Sequence, residues 1–511
     1  MTKLNQLIGV FLLGACFSAC SPSVSQVQSG PEEKLADSTG TQNELVALDQ
    51  LVTSHSDVFQ LSDQDRPGSW CWFQDQRAVV DVNGVDGPTL LTGVVTYAPE
   101  GDDKRGDIDL YWASLNSEIK GDPIKERGRF ELDDQLQMDD HASPSFLILP
   151  GGGYLVNWSK HGNDKYLRTR LSTSPGDPTS WEETIRTEPT GTGITYTNPY
   201  YLTSLKDGRP GIFNGVRSRG FDSNWIFSED LGRTWTYGGQ TVDAKDAWPD
   251  DREGGRAYVK YAGDGKSKIH LFSTDDHPRV NFNPSHTAPG TGLNSLYHAY
   301  LENGQLFRSD GTVIDEDIYD DNAVPPTDMT VLLQDGTVVM GDSMRRGWIT
   351  DIKVDPAGNP FGIIQFRAND DADDHRYFYA RHDGREWHVN FLAYAGDYIG
   401  DPNENDYTGL ASVDAANPNT VFVSTSSHPV TGEHLISTAD GKRHQEIYVG
   451  RTTDLGKTWR WAAVTENSVD DNIRPVVPAW REGTSLVLWM RGDFPTYRRY
   501  STDVIGQVFA Y

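Results

Sequence analysis

The sequence predicts an all-β chain folded as a β-propeller of four-stranded antiparallel blades, and three observations point to it. Tight-turn signals recur at even spacing: Val82-Asn83-Gly84, Pro150-Gly151-Gly152, Lys206-Asp207-Gly208, Gly263-Asp264-Gly265, Ala357-Gly358-Asn359, Asn417-Pro418-Asn419 and Glu482-Gly483. Each lies between short alternating apolar runs, such as Phe146-Leu147-Ile148-Leu149 and Tyr154-Leu155-Val156. The composition, with 50 Gly, 14 Trp and 22 Tyr, supplies the turn and packing residues that many short strands need.

Gly and Asn in these turns provide the positive φ that two-residue hairpins require. Seven turns over roughly 440 residues give blades of about 60, a suitable length for four strands. A further hairpin at Gln334-Asp335-Gly336 falls outside this count and leaves six or eight blades open.

The chain begins differently. Lys3 precedes an apolar stretch from Leu7 to Ala15, too short to span a bilayer, and small residues then lead into cysteine. Leu13-Gly14-Ala15 before Cys16 and Phe17-Ser18-Ala19 before Cys20 both resemble a bacterial lipobox. Cutting before Cys16 would leave a very short leader, and the polar stretch starts at Cys20. Residues 1–19 are therefore expected as a lipoprotein signal peptide and Cys20 as the acylated residue. Residues 20–66 are expected as a flexible tether and 67–511 as the propeller. Such a protein would sit on the outer membrane of a Gram-negative cell, held only by its lipid, or be secreted if no lipid is added.

The formal net charge of -29 repels nucleic acid and anionic lipid, and suits solubility. Any anionic substrate needs a local basic groove. Of the three cysteines only Cys71 lies beyond the leader, which excludes an internal disulfide and a cysteine-rich zinc site.

A second repeat lies inside the first. Ser228 to Trp235 and Thr452 to Trp459 both fit S/T-x-D-x-G-x-T-W, and the segments ending in Trp181 and Trp387 are degenerate copies. These resemble the Asp-box, or BNR repeat, at the turn between the outer two strands of propeller blades. The Asp can bond turn amides, the Gly can take the left-handed position, and the Trp can pack between blades. This repeat speaks for fold and not for chemistry.

The chemistry is sought where inner strands open onto one face. His141 precedes a strand and His161 follows its hairpin partner, so antiparallel pairing brings both imidazoles together, beside Lys160. The next hairpin offers Asn198, Tyr201, Arg217 and Arg219, with Tyr201 and Arg217 expected at matching strand ends. An acid–base pair with a fixed guanidinium suits proton abstraction next to a carboxylate, which Arg grips in a bidentate fork.

The His141–His161 unit, Asn198-Pro199-Tyr200-Tyr201-Leu202 with its Arg, Arg256-Ala257-Tyr258-Val259-Lys260-Tyr261, Asp276-His277-Pro278-Arg279 and Leu296-Tyr297-His298-Ala299-Tyr300 resemble the BNR-repeat propellers containing the short ulvan lyases of polysaccharide lyase families 24 and 25. The likeness runs from about Trp70 to the C-terminus. It implies a seven-bladed propeller and endo-acting β-elimination between rhamnose 3-sulfate and uronate in an anionic algal polysaccharide. It further implies His141 as general base, Tyr201 as general acid and Arg217 as neutraliser of the uronate carboxylate. His161, Lys160, Asn198, Arg219, His277 and Arg279 would contact substrate. The chemistry needs no cofactor. A structural calcium or zinc would fall to His277, His286 and His298, or to the acidic loops at 315–321 and 369–374. The chain is expected as a monomer.

Two other readings compete. A retaining sialidase needs three arginines, a Tyr/Glu pair and an early Arg-Ile-Pro-like segment, and Arg77 is not followed by one. A non-catalytic glycan-binding propeller needs none of these.

Overall fold

The computed structural model describes residues 43–116, 118–220, 222–243, 257–277 and 294–511. The leader, Cys20, Arg279 and His286 lie outside the described residues. The fold is a seven-bladed β-propeller, and each of the seven turns found in the sequence closes the innermost hairpin of one blade.

Blade I holds Gly68–Ser69, Ala78–Asp81, Thr89–Thr96, Ile108–Leu115 and Ile124–Asp133. Blade II runs from Ser145–Ile148 through Tyr154–Trp158 and Leu167–Leu171 to Ile185–Thr187. Blade III runs from Thr195–Lys206 through Arg209–Ser218 and Asp222–Ser228 to Thr236–Val242. Blade IV begins with Val259–Gly263, Lys268–Thr274 and Leu296–Glu302 and carries short extra strands. Blade V contains Asp342–Val354, Pro360–Ala368, His375–His382 and Trp387–Gly396, and the Gln334-Asp335-Gly336 hairpin stands just before it. Blade VI holds Ala411–Val413, Thr420–Thr425, Glu446–Arg451 and Arg460–Ala463. Blade VII holds Asp471–Val476, Thr484–Thr496 and Arg499–Ala510.

Only three strands of blade VII come from the C-terminal end. Ser54–His55 and Phe59–Gln60 pair antiparallel with Arg499–Ala510 and complete it, while Glu44–Leu45 adds a parallel strand to blade VI. Pairing the two chain regions removes the sheet edge that blade VII would otherwise expose. This corrects the expected tether boundary at residue 66. The polar composition of 43–66 hides short edge strands, held by backbone bonds and by a few buried apolar side chains, Leu51, Val52, Phe59 and Leu61.

The repeats take the role expected of them. Asp230 accepts from Thr234 N at 2.8 Å and from Thr234 Oγ1 at 2.7 Å, and Asp454 repeats both bonds with Thr458 at 2.9 and 2.7 Å. Trp235 is buried against Leu155 and Leu167 of blade II, and Trp459 against Tyr379 of blade V. Burying aromatic faces between blades contributes on the order of 25 cal/mol per Å² of apolar area.

The segment between Gly68–Ser69 and Ala78–Asp81 leaves the sheet and fills one mouth of the central channel. Trp72 Nε1 donates to Ile349 O in blade V, Arg474 of blade VII donates to Trp70 O, and Asp75 N donates to Asn198 Oδ1 in blade III. Lys260 of blade IV reaches Trp72 O and the Asp75 carboxylate, which also receives Arg77. Phe73 packs on Tyr196, Tyr258 and Trp348 at 4.8–5.8 Å between ring centroids. The plug ties blades III, IV, V and VII together and forms the floor of the site above it.

Candidate functional site

Asp139 sits where blade I passes to blade II, and its carboxylate organises the site. Its Oδ1 lies 2.7 Å from His141 Nδ1, and its Oδ2 lies 2.9 Å from His161 Nδ1. The two imidazoles stack with centroids 3.9 Å apart and planes 6° apart. Arg498, in the last hairpin of blade VII, donates from Nε to Asp139 Oδ2 at 3.1 Å. The expected convergence of His141 and His161 is present, held by a buried acid that the sequence reading passed over.

Sharing one anion makes the two histidines unequal. Burial opposes charge on Asp139, but His141 and His161 outweigh it and hold the carboxyl far below the usual range. Burial also disfavours a charged His141, yet the anionic forms of Cys71 and Asp139 hold its pKa well above the ordinary value. Burial pushes the Cys71 thiol up, so the carboxylate is the standing source of that field. His161 goes the other way: burial and repulsion from His141 bring it down to about 4, despite its bond to Asp139. The pair therefore carries one positive charge near neutral pH, with His141 cationic and His161 neutral. Each Nδ1 faces Asp139, which leaves the Nε2 atoms for the cleft.

Arg217 completes the arrangement. It is 7% exposed, and its Nη1 donates to Tyr258 Oη at 2.9 Å and to Tyr196 Oη at 3.3 Å. Its guanidinium lies 4.6 Å from the Tyr196 ring centroid. A β-bulge places Tyr196 here: Asn198 pairs with Gly215 but Thr195 pairs with Arg217, so Tyr196 and Thr197 face the single residue Val216. Tyr196 takes φ 63° in that bulge, which re-aims its side chain toward the channel mouth. The ring then stands 5.6 Å from that of His141. Burial pushes the Tyr196 hydroxyl well above its ordinary pKa against the pull of Arg217, so it keeps its proton.

Two hollows adjoin along these contacts. One, of about 430 Å³, is walled by Trp72, Phe73, Tyr258, Tyr407, Phe494 and Tyr497, with Asp401 and Glu404 on a loop at its side. The other, of about 980 Å³, is lined by His161, Thr192, Arg217, Arg219 and Arg498. Among the described residues its charged walls are cationic, which gives the anionic molecule the local basic groove that an anionic ligand needs.

The other sequence candidates divide. Tyr201 is a correction: it pairs with Ile212, not Arg217, and lines a hollow at the opposite mouth of the channel. Counting outward from the Lys206-Asp207-Gly208 turn would set Arg217 opposite Asn198, and two register shifts, at Leu202–Lys206 and Thr195–Asn198, move its partner to Thr195 beside Tyr196. Asn198 is also corrected, since both ends of its amide are spent on Asp75 N and Gly215 O. Arg219 lines the cationic groove and pairs with Asp321 at 2.6 Å. Lys160 stands 3.9 Å from Asp164, and His277 lies behind Tyr258, with Nε2 2.7 Å from Tyr407 Oη. His298 bonds His270 and Ser309 and belongs to no potential ligand cluster with His277 among the described residues. Tyr258, Tyr196, Arg474 and Arg498 complete the site without having been singled out for it.

A family model for BNR repeat-containing family members matches residues 113–395, more than half of the 511. The chain belongs to this BNR-repeat family. No curated protein sequence matches it. Among solved structures, a family 25 polysaccharide lyase described as an ulvan lyase is similar over 87% of this chain and 94% of its own, with 12% identity and a TM-score of 0.56. The same kind of lyase bound to a GlcA(1-4)Rha3S unit matches with 11% identity and a TM-score of 0.55 over the same shares. An α-L-arabinofuranosidase of Fusarium graminearum covers 71% of this chain and 91% of its own at 10% identity and a TM-score of 0.38. At these identities the lyases share the propeller fold.

Proposed function

We propose that this BNR-repeat propeller is a polysaccharide lyase that cleaves a uronate-containing, sulfated polysaccharide of the ulvan type by β-elimination. The observation that carries the reading is the buried Arg217 beneath two tyrosine hydroxyls, beside a histidine pair bonded to one buried carboxylate. A uronate carboxylate on Arg217 loses its charge penalty, which acidifies the C5 proton. Neutral His161, with Nδ1–H fixed on Asp139, takes that proton at Nε2. Electrons move into the carboxylate as an enolate, the C4–O bond breaks, and Tyr196 gives its proton to the departing oxygen. A C4–C5 double bond results and no water is consumed. His141, as imidazolium, stabilises the developing negative charge. This exchanges the roles expected for the histidines and replaces Tyr201 by Tyr196.

Hydrolysis needs two carboxyl groups flanking the bond, about 5–9.5 Å apart. Asp139 and Asp140 do not serve, because His141, His161 and Arg498 occupy the first and Arg474, at 2.6 Å, the second, which leaves Asp401 and Glu404 beside the hollow as the carboxyl groups a hydrolase would have to use. Product masses decide between the chemistries. Elimination yields fragments of ulvan each lighter by one water than hydrolysis would give at the non-reducing uronate end, and hydrolytic masses would overturn the reading. Acylation at Cys20 with outer-membrane placement, and a monomeric state, form part of the proposal. An unmodified N-terminus beyond residue 20 would show plain secretion. Among the described residues no helix is long and apolar enough to cross a membrane.

A further inference from the structure

The wall of the 430 Å³ hollow carries a grouping of which the elimination chemistry uses only His141. Cys71, Asp140 and His141 each offer one ligand atom, and these atoms lie within 4.8 Å of one another. Asp140 is fully buried, and its Oδ1 stands 3.0 Å from His141 Nδ1. Its other oxygen is held by Arg474 at 2.6 Å, which fixes the carboxylate with Oδ1 toward the cluster. A thiol, an imidazole and a carboxylate oxygen at the edge of one cavity form a mixed S/N/O set, which suits zinc.

We propose that Cys71, Asp140 and His141 bind a zinc-like divalent cation from the hollow, with a solvent molecule as fourth ligand, and that this cation shuts down the site by capturing His141. The thiol ligates as thiolate, so binding releases the Cys71 proton. The metal takes no part in elimination. It engages the imidazole that the elimination reading places in the cleft. The inhibitory half of this inference rests on the lyase reading, whereas the binding half stands without it.

The test uses the full chain and Co²⁺ as a spectroscopic probe, followed by displacement with Zn²⁺. The wild type should bind one Co²⁺ whose spectrum contains a near-ultraviolet sulfur-to-cobalt charge-transfer band, and Zn²⁺ should remove that band. Cys71→Ser should lack it, and Asp140→Asn should weaken binding by about tenfold or more. Cys71→Ala serves as a second variant should the serine disturb packing. A wild type with no thiolate band, or a band that persists in both Cys71 variants, overturns the site. Rates on ulvan with and without Zn²⁺, taken as a ratio within each protein, test the inhibition. Zinc should slow the wild type and leave the Cys71→Ser ratio near one. An equal ratio in both proteins overturns the inhibitory role while the cobalt spectrum still decides the site. Absence of turnover in metal-free wild type would count against the lyase reading alone.

Discussion

At one mouth of the central channel, His141, His161, Arg217 and Arg498 gather around a buried carboxylate and two tyrosine hydroxyls. At the other, Ala78, Leu147, Tyr200, Tyr201, Val354 and Pro478 surround a hollow of about 990 Å³ whose one charged lining residue, among those described, is Lys353. The same inner strands serve both mouths: Thr195–Lys206 presents Tyr196 to the first and Tyr201 to the second. Size does not separate them, since hollows of nearly equal volume occur at each. What separates them is departure from regular sheet. The polar mouth has the Tyr196 bulge, Arg474 at φ 52° in an irregular stretch of blade VII, and the 70–77 excursion, whereas in the blade III hairpin at the other mouth the irregularity is one register shift between Leu202 and Lys206. Irregular backbone costs energy, and here it lies where side chains are turned toward a cleft.

The comparison breaks most visibly at Arg217. Arg217→Ala should lower turnover of ulvan by about 10³-fold or more, with circular dichroism unchanged, because nothing else in the cleft replaces a bidentate cation at the carboxylate. Activity near wild type would remove the polar mouth from the mechanism. Tyr196→Phe should cost about 10²-fold or more through loss of the proton donated to the leaving oxygen, read as kcat on a defined oligosaccharide. A smaller effect follows from His161. Its pKa, brought down to about 4 by burial and by His141, means the imidazole is already neutral above that pH, so kcat should hold through mildly acidic solution and fall as pH drops through about 4. An acid limb near the ordinary histidine value of about 6.5 would show that the pair does not carry its charge in this way. At the bottom of the scale, Tyr201→Phe should leave turnover within about twofold, as expected of a surface change away from the chemistry. A large loss there, with Tyr196→Phe mild, would transfer the chemistry to the opposite mouth.

Much of this was legible in the sequence because it is written in local signals. A hairpin needs its Gly or Asn, so the Lys206-Asp207-Gly208 and Asn417-Pro418-Asn419 turns reveal their blades directly. The Asp230 and Asp454 turns reveal the outer strands in the same way. His141 and His161 could be paired because one short hairpin separates them. Tyr196 is not legible in the sequence because two register shifts lie between the turn and Arg217, and such shifts leave no residue signature. The burial of Asp139 under two histidines and Arg498 depends on the last hairpin of blade VII reaching the link between blades I and II, a contact between residues far apart in the chain. The strands at Ser54–His55 and Phe59–Gln60 were read as tether for a related reason, since only the last blade gives them a partner.

The central claim is that the polar mouth removes a proton from a uronate and eliminates the neighbouring oxygen. It is tested most directly by digesting ulvan while following ultraviolet absorbance and new reducing ends together. The account predicts that the two rise in step, because every cleavage creates a C4–C5 double bond conjugated with the carboxylate. Reducing ends accumulating without that absorbance would contradict it and assign the cleft to hydrolysis, while neither signal, with ulvan still bound, would make this propeller a glycan-capturing surface protein.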